Sequence, residues 1–132
     1  MSTIRRTIDV EDALQAALNA DGYRASAPPI PRDLGGALPY VLVRRTGGYE
    51  NGMVQDMHMA SVHVYAEDDA QAMREADALT AWVRALAGHD LGGVPCYVAA
   101  VSTLPYGNPD PDRPELARCT MGVQLLTRTA HD

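Results

Sequence analysis

The stretch from Leu38 to Leu86 constrains this chain more than any other. It reads as a strand (LPYVLVRRTGG), a Gly-rich turn (YENGMVQD), a second strand (MHMASVHVYA) and a long amphipathic helix (EDDAQAMREADALTAWVRAL). Val41 and Val43 lie on one face of the first strand and Leu42 on the other. Apolar residues on both faces of its first half are the mark of a strand interior to a sheet. Gly47, Gly48 and Asn51-Gly52 tolerate positive φ, so a turn is expected over Gly47 to Gly52. In the second strand Ala60, Val62 and Val64 point one way, and Met59, Ser61, His63 and Tyr65 the other. One face is core; the other is a mixed surface suited to a helix or a neighbouring subunit. Asp68 or Asp69 caps the helix, whose apolar stripe is Ala72, Met73, Ala76, Leu79, Val83 and Leu86. Trp82 sits at the edge of that stripe, and Gly88 ends the helix.

The flanks extend the same pattern. Asp9 is placed to cap a short first helix, with Glu11 and Asp12 where the helix dipole favours anions. Val10, Ala13, Leu14, Ala17 and Leu18 form its stripe, and Gly22 fits the left-handed position that ends it. The following ASAPPIPRDLGGALP, with four prolines and two glycines, predicts an irregular connection over the surface. A third strand is expected from Val94 to Thr103, a stiffened loop from Leu104 to Pro114, and an alternating last strand from Arg118 to Thr129. The order α-β-β-α-β-β predicts an α+β fold: a largely antiparallel sheet packed by two helices, with long Gly/Pro-rich loops. At 132 residues this is one domain, 1–132.

Charge and cysteines narrow the function classes. The net charge is −6, and there is no Lys; the 11 Arg are dispersed apart from Arg5-Arg6 and Arg44-Arg45. Wrapping nucleic acid needs clustered cations, so that class is disfavoured. No apolar run approaches the roughly 20 residues that span a bilayer, so no membrane partner is expected. Cys96 and Cys119 fall on different predicted strands and could face each other across the sheet. With no secretory segment ahead of them, two reduced, partly buried thiols are the expectation.

Candidate chemistry is thin. His58 and His63 are an odd number apart on one strand and point to opposite faces, so they cannot share an ion there. No metal-ligand spacing and no phosphate loop is present, so no catalytic residue, metal or cofactor is expected. Asp68, Asp69, Glu75 and Asp77 read as capping and a solvated helix face. Asp110, Asp112 and Glu115 read as an exposed acidic loop, and Ser61 and Ser102 as ordinary strand residues. Arg44 and Arg45 point to opposite faces; one could pair within the chain, or make a bidentate contact to a neighbouring subunit.

Several segments together resemble the tail terminator, or tail completion, proteins of long-tailed bacteriophages. They are the IDVEDALQAAL helix, the PYVLVRRTGG strand, the strand ending VHVYAEDDAQA, the helix ending AWVRAL and the final RCTMGVQLLTR strand. The resemblance runs from Ile8 to Arg128 and includes no catalytic signature. It implies a non-enzymatic minor tail protein assembled as a hexameric ring on the head-proximal end of the tail tube. Its partners would be copies of itself, the major tail tube protein and a head-completion or connector protein, with DNA only passing through the lumen. Its place would be the host cytoplasm during assembly and then the virion tail. A lumen lined with carboxylates would let that duplex slide.

A ring of this kind is a head-to-tail interface with two different patches per subunit. The candidate assembly residues are Arg44, Arg45, Gly47, Gly48, Tyr49, Met57 and Met59 around the first hairpin, and Pro105, Tyr106, Pro109 and Pro111 in the Pro-rich segment. Other head–tail connector or minor tail subunits fit the same residues. So does a small ligand-binding or enzymatic domain, which would need a concave pocket beside the Arg44-Arg45 strand with convergent polar groups and a perturbed titratable group.

Overall fold

A computed structural model describes residues 4–131; residues 1–3 and 132 of the expected domain lie outside the described residues. In chain order the elements are β1 (Arg5–Arg6), α1 (Val10–Ala20), β2 (Ala25–Ser26), β3 (Tyr40–Glu50) and β4 (Gln55–Ala66), then α2 (Asp69–Arg84), β5 (Asp90–Leu91), β6 (Val94–Gly107), β7 (Ala117–Arg128) and β8 (Ala130–His131). Six strands make one sheet in the order β2-β3-β4-β7-β6-β5, and β1 and β8 form a separate pair. β3, β4, β7 and β6 run antiparallel to their neighbours, while β2 lies parallel to β3. The fold is α+β, with the two helices on one face of this sheet. The long elements follow the order read from the sequence. The four two-residue strands are too short for any periodicity to reveal.

Each helix begins where its sequence says it should. The Asp9 carboxylate accepts from the Asp12 N–H at 3.1 Å, and the Asp68 carboxylate accepts from the Gln71 N–H at 2.7 Å. Asp68→Ala is expected to lower stability by about 1 kcal/mol, read as a shifted urea midpoint; an unchanged midpoint would show that water replaces the cap. α2 ends at Arg84, one half-turn before the expected Leu86.

The core lies between the helices and the sheet. Val10, Leu14 and Leu18 of α1 meet Val41 and Val43, while Ala72, Ala76, Leu79 and Val83 of α2 meet Ala60, Val62, Val64, Met121, Val123 and Leu125. Without Phe, the close approach rests on the small side chains Ala60, Ala66, Ala72 and Ala76, which let α2 sit low on the strands. Trp82 ties the helical layer together: its indole N–H donates to Asp21 at 2.7 Å, and its ring meets Tyr23 edge-on at 6.3 Å.

Four expectations are corrected. Gly47 and Gly48 lie inside β3 rather than in the turn, which is confined to residues 51–54. They occupy a register shift opposite Met59 and His58, at φ of +129° and +139°. A Cβ on Gly48 would stand 2.1 Å from the Met57 carbonyl oxygen, so close passage of the two strands requires glycine there. β6 runs on through Leu104, Pro105 and Tyr106, so the Pro-rich loop starts only after Gly107. Pro105 is tolerated because it sits in a bulge on an outer strand. Cys96 and Cys119 do not face each other: both are buried thiols, with Cys96 opposite Thr127 and Cys119 opposite Gly107, at opposite ends of the β6–β7 ladder. Asp110 is not a free acidic residue, as its contacts below show.

Candidate functional site

Directly opposed residues of an antiparallel ladder share a face. The sheet face turned away from both helices therefore carries five rows across β3, β4, β7 and β6. From the hairpin end they run Tyr49–Met57–Leu126–Val98; Gly47–Met59–Gln124–Ala100; Arg44–Ser61–Gly122–Thr103; Leu42–His63–Thr120–Tyr106; and Tyr40–Tyr65–Arg118. The Tyr40 end is covered by the proline-rich connection, where Leu34 is buried against Tyr40, Leu42 and Tyr65 with Ile30, Leu38 and Leu116 packed around them. This second small core explains the two-sided apolar start of β3. No described element covers the hairpin end. There Tyr49 is 58% and Val98 43% exposed, and Met57 and Met59 are half-buried.

This outer face gathers some of the sequence candidates and separates others. Arg44, Tyr49, Met57, Met59 and Tyr106 belong to it. Arg45 projects to the helix side, where its backbone N–H donates to Glu11 at 2.7 Å and its guanidinium to the Ile8 carbonyl. Of the two adjacent arginines it is thus Arg45 that is held within the chain. Arg44 is exposed and makes no hydrogen bond or ion pair among the described residues. Pro105 is half-buried in β6, and Pro109 and Pro111 are exposed on the loop after it.

Where the bare and covered parts of the face meet lies a cavity of about 480 Å³. Its walls include Pro28, Pro29 and Ile30 on one side, Arg44, Ser61 and His63 on its floor, and Tyr65, Asp110, Asp112 and Arg118 beyond. Arg118 organises the far wall. Its Nε donates to the Asn108 carbonyl at 2.6 Å and its Nη1 to the Tyr65 hydroxyl at 3.3 Å, with the Asp110 carboxylate 3.8 Å away. The Tyr65 hydroxyl in turn donates to Asp110 at 2.8 Å. Arg113 fixes the same loop from outside by donating to the Pro31 and Arg32 carbonyls, both at 3.0 Å.

Electrostatics follow this geometry. Burial pushes the Asp110 carboxyl up, but the Tyr65 hydroxyl, the Asp112 N–H and the Arg118 and Arg113 charges together hold it below its ordinary value. His63 is lowered to about 4 by burial first, then by the Arg118 and Arg44 guanidiniums, against a small opposing pull from Asp110. Its Nδ1 lies 2.8 Å from the Thr120 hydroxyl and its Nε2 3.2 Å from that of Ser61. His58, on the opposite face, instead meets the Thr127 hydroxyl at 2.9 Å.

Sequence reasoning assigned Ser61 to the strand background and passed over Arg118 and Thr120. The signal that unites them is the β4–β7 register, which pairs Tyr65 with Arg118 and His63 with Thr120. Nothing in the spacing of residues more than fifty positions apart reveals it. Among the described residues no group of three or more His, Cys, Asp and Glu comes together to hold a metal ion. No described helix is long and apolar enough to cross a membrane.

Fold and site together define a two-layer α+β domain with one sheet face partly bare and a polar cavity at its margin. No protein-family profile matches the chain, and no curated protein matches it.

Proposed function

We propose that this chain is a structural subunit of a phage tail, closing head-to-tail into a hexameric ring on the head-proximal end of the tail tube. The ring ends tube polymerisation and offers a surface to the head-completion protein, while DNA passes only through its lumen. The observation that carries this reading is the bare outer face, apolar along the Tyr49–Met57–Leu126–Val98 row and continuous with the long β3–β4 hairpin. Exposed apolar surface rimmed by polar groups is what a protein contact uses.

The sheet edges bear on how such a contact is made. β3 carries a register shift at Arg45/Gly47, and β6 carries three, along with Pro105. Irregular edges resist extension by another chain's strand, so the neighbouring subunit would pack through side chains rather than extend the ladder.

Sedimentation velocity and negative-stain imaging, on the protein alone and with tail tubes, test the proposal. Six-subunit rings, free or at one end of the tubes, are expected. Met57→Glu with Met59→Glu should abolish them while the chain stays folded with a melting temperature lowered by only a few degrees, because both side chains are half-buried at the uncovered end of the face. A protein that stays monomeric and never binds a tube end overturns the reading.

A second reading has its own observation, since the cavity beside Arg44 has the convergent polar groups that a small ligand-binding or enzymatic domain needs. General acid–base catalysis is disfavoured there. A catalytic base works best with a pKa near the working pH, and His63 stands at about 4.

A further inference from the structure

From Ser61 and His63 on the floor of the Arg44 cavity a chain of hydrogen bonds runs back to Thr120 and Asn108. The Asn108 side-chain amide donates to the Thr120 Oγ1 at 3.1 Å, and the Thr120 hydroxyl shares a hydrogen bond with His63 Nδ1 at 2.8 Å whose direction follows the tautomer of the ring. A neutral imidazole that accepts at Nδ1 carries its proton on Nε2. In that tautomer the Nε2 N–H donates to the Ser61 Oγ, 3.2 Å away. Ser61 then accepts from the histidine, which leaves its own O–H as the free end of the chain, and each bond polarises the next. Arg44 is the direct cross-strand partner of Ser61. In that tautomer the cavity presents an unspent guanidinium beside an unspent hydroxyl donor.

We infer that this cavity is a receptor for a single carboxylate, held bidentately by Arg44 and capped by the Ser61 hydroxyl. Two parallel N–H donors match the two oxygens of a carboxylate. More highly charged oxyanions fit less well. Arg118 is already spent on Asn108, Tyr65 and Asp110, and Asp112 adds negative charge to the opposite wall. The carboxylate is either an acidic side chain of a second copy, which rests on the ring reading, or a free small organic acid. A chain of net charge −6 has acidic groups to offer another copy.

The test is a titration of the whole protein with sodium acetate against sodium chloride at constant ionic strength, followed by nitrogen and proton NMR of the His63 ring. The expected result is a saturable shift with the proton on Nε2 and a raised His63 pKa, because the bound anion offsets Arg44. Arg44→Gln should weaken acetate binding about tenfold or more, and Arg44→Lys less, since an ammonium keeps the charge but loses the fork. Thr120→Val should weaken it with Arg44 intact, by breaking the donor chain. A non-saturable shift, equal binding in Arg44→Gln, or inorganic phosphate binding as tightly as acetate overturns the inference. Self-association that acetate and Arg44→Gln both disperse identifies a second copy as the source. Self-association that neither disperses identifies a free acid. Acetate binding by a protein that never forms rings sinks the ring reading alone, and rings without acetate binding sink this one alone.

Discussion

Arg118→Met is expected to cost the fold about 3 kcal/mol, which in a chain of this size lowers the melting temperature by about 10 °C. Methionine keeps the stem's packing but removes every donor. The Asn108 carbonyl and the Tyr65 hydroxyl then lose a donor, and the Asp110 carboxylate loses one of its two neighbouring cations. Asp110 keeps the Tyr65 hydroxyl, the Asp112 N–H and the Arg113 charge, but the loop at residues 108–116 loses its main anchor to β7 and should loosen as a unit. Tyr65→Phe removes two hydrogen bonds, one to Asp110 and one from Arg118, and should cost about 1–2 kcal/mol. Thermal and urea unfolding of both variants separate the two effects. A loss under about 1 kcal/mol for Arg118→Met would show that the loop is held by Arg113 instead.

Acid should unfold the protein through His63. Its folded pKa of about 4 lies below the ordinary 6.5. Between those values the unfolded chain binds a proton that the folded chain refuses, so stability falls as pH drops from about 6.5 to about 4 and then levels off for this group. The loss is on the order of 2 kcal/mol once solvent screening around a partly exposed ring is allowed for. His58 is also lowered, chiefly by burial, and adds in the same direction. Asp110 acts lower down: its stabilisation holds above the ordinary carboxylate pKa and is lost as pH falls through its depressed folded value. His63→Gln should flatten the upper part of the profile. An unchanged slope in that variant would place the proton uptake elsewhere.

Much of the scaffold is legible in the residues themselves. The alternation of Ala60, Val62 and Val64 against Met59, Ser61 and His63 separates the two faces of β4, and Asp9 and Asp68 mark the helix starts because capping is a local event. What escapes is whatever depends on distant pairing. Gly47-Gly48 has the composition of a turn, yet it serves a bulge, because only the partner strand shows how closely Met57 passes. Pro105 looks like a strand breaker until β6 is found to carry extra residues relative to β7. Arg45 and Arg44 are indistinguishable in sequence; α1 decides between them by placing Glu11 and the Ile8 carbonyl beside Arg45 alone. The cavity is harder still, since its floor comes from β3, β4 and β7 and its walls from two proline-rich segments.

The β1–β8 pair has a practical reach beyond the fold. Arg5 lies opposite His131 and Arg6 opposite Ala130, so the first and last described strands leave the domain at one spot. Neighbouring residues Arg5, Arg6 and Thr7 share a recess with Glu50 and Asp56, away from the Arg44 cavity. A fluorophore placed on β1 or on β8 would report from the same point, beside the β3–β4 turn. Linking β8 directly to β1 and opening the chain at the turn, residues 51–54, gives a circular permutant with the same neighbours throughout the core. In such permutants, energy transfer between labelled copies becomes a ruler for subunit spacing.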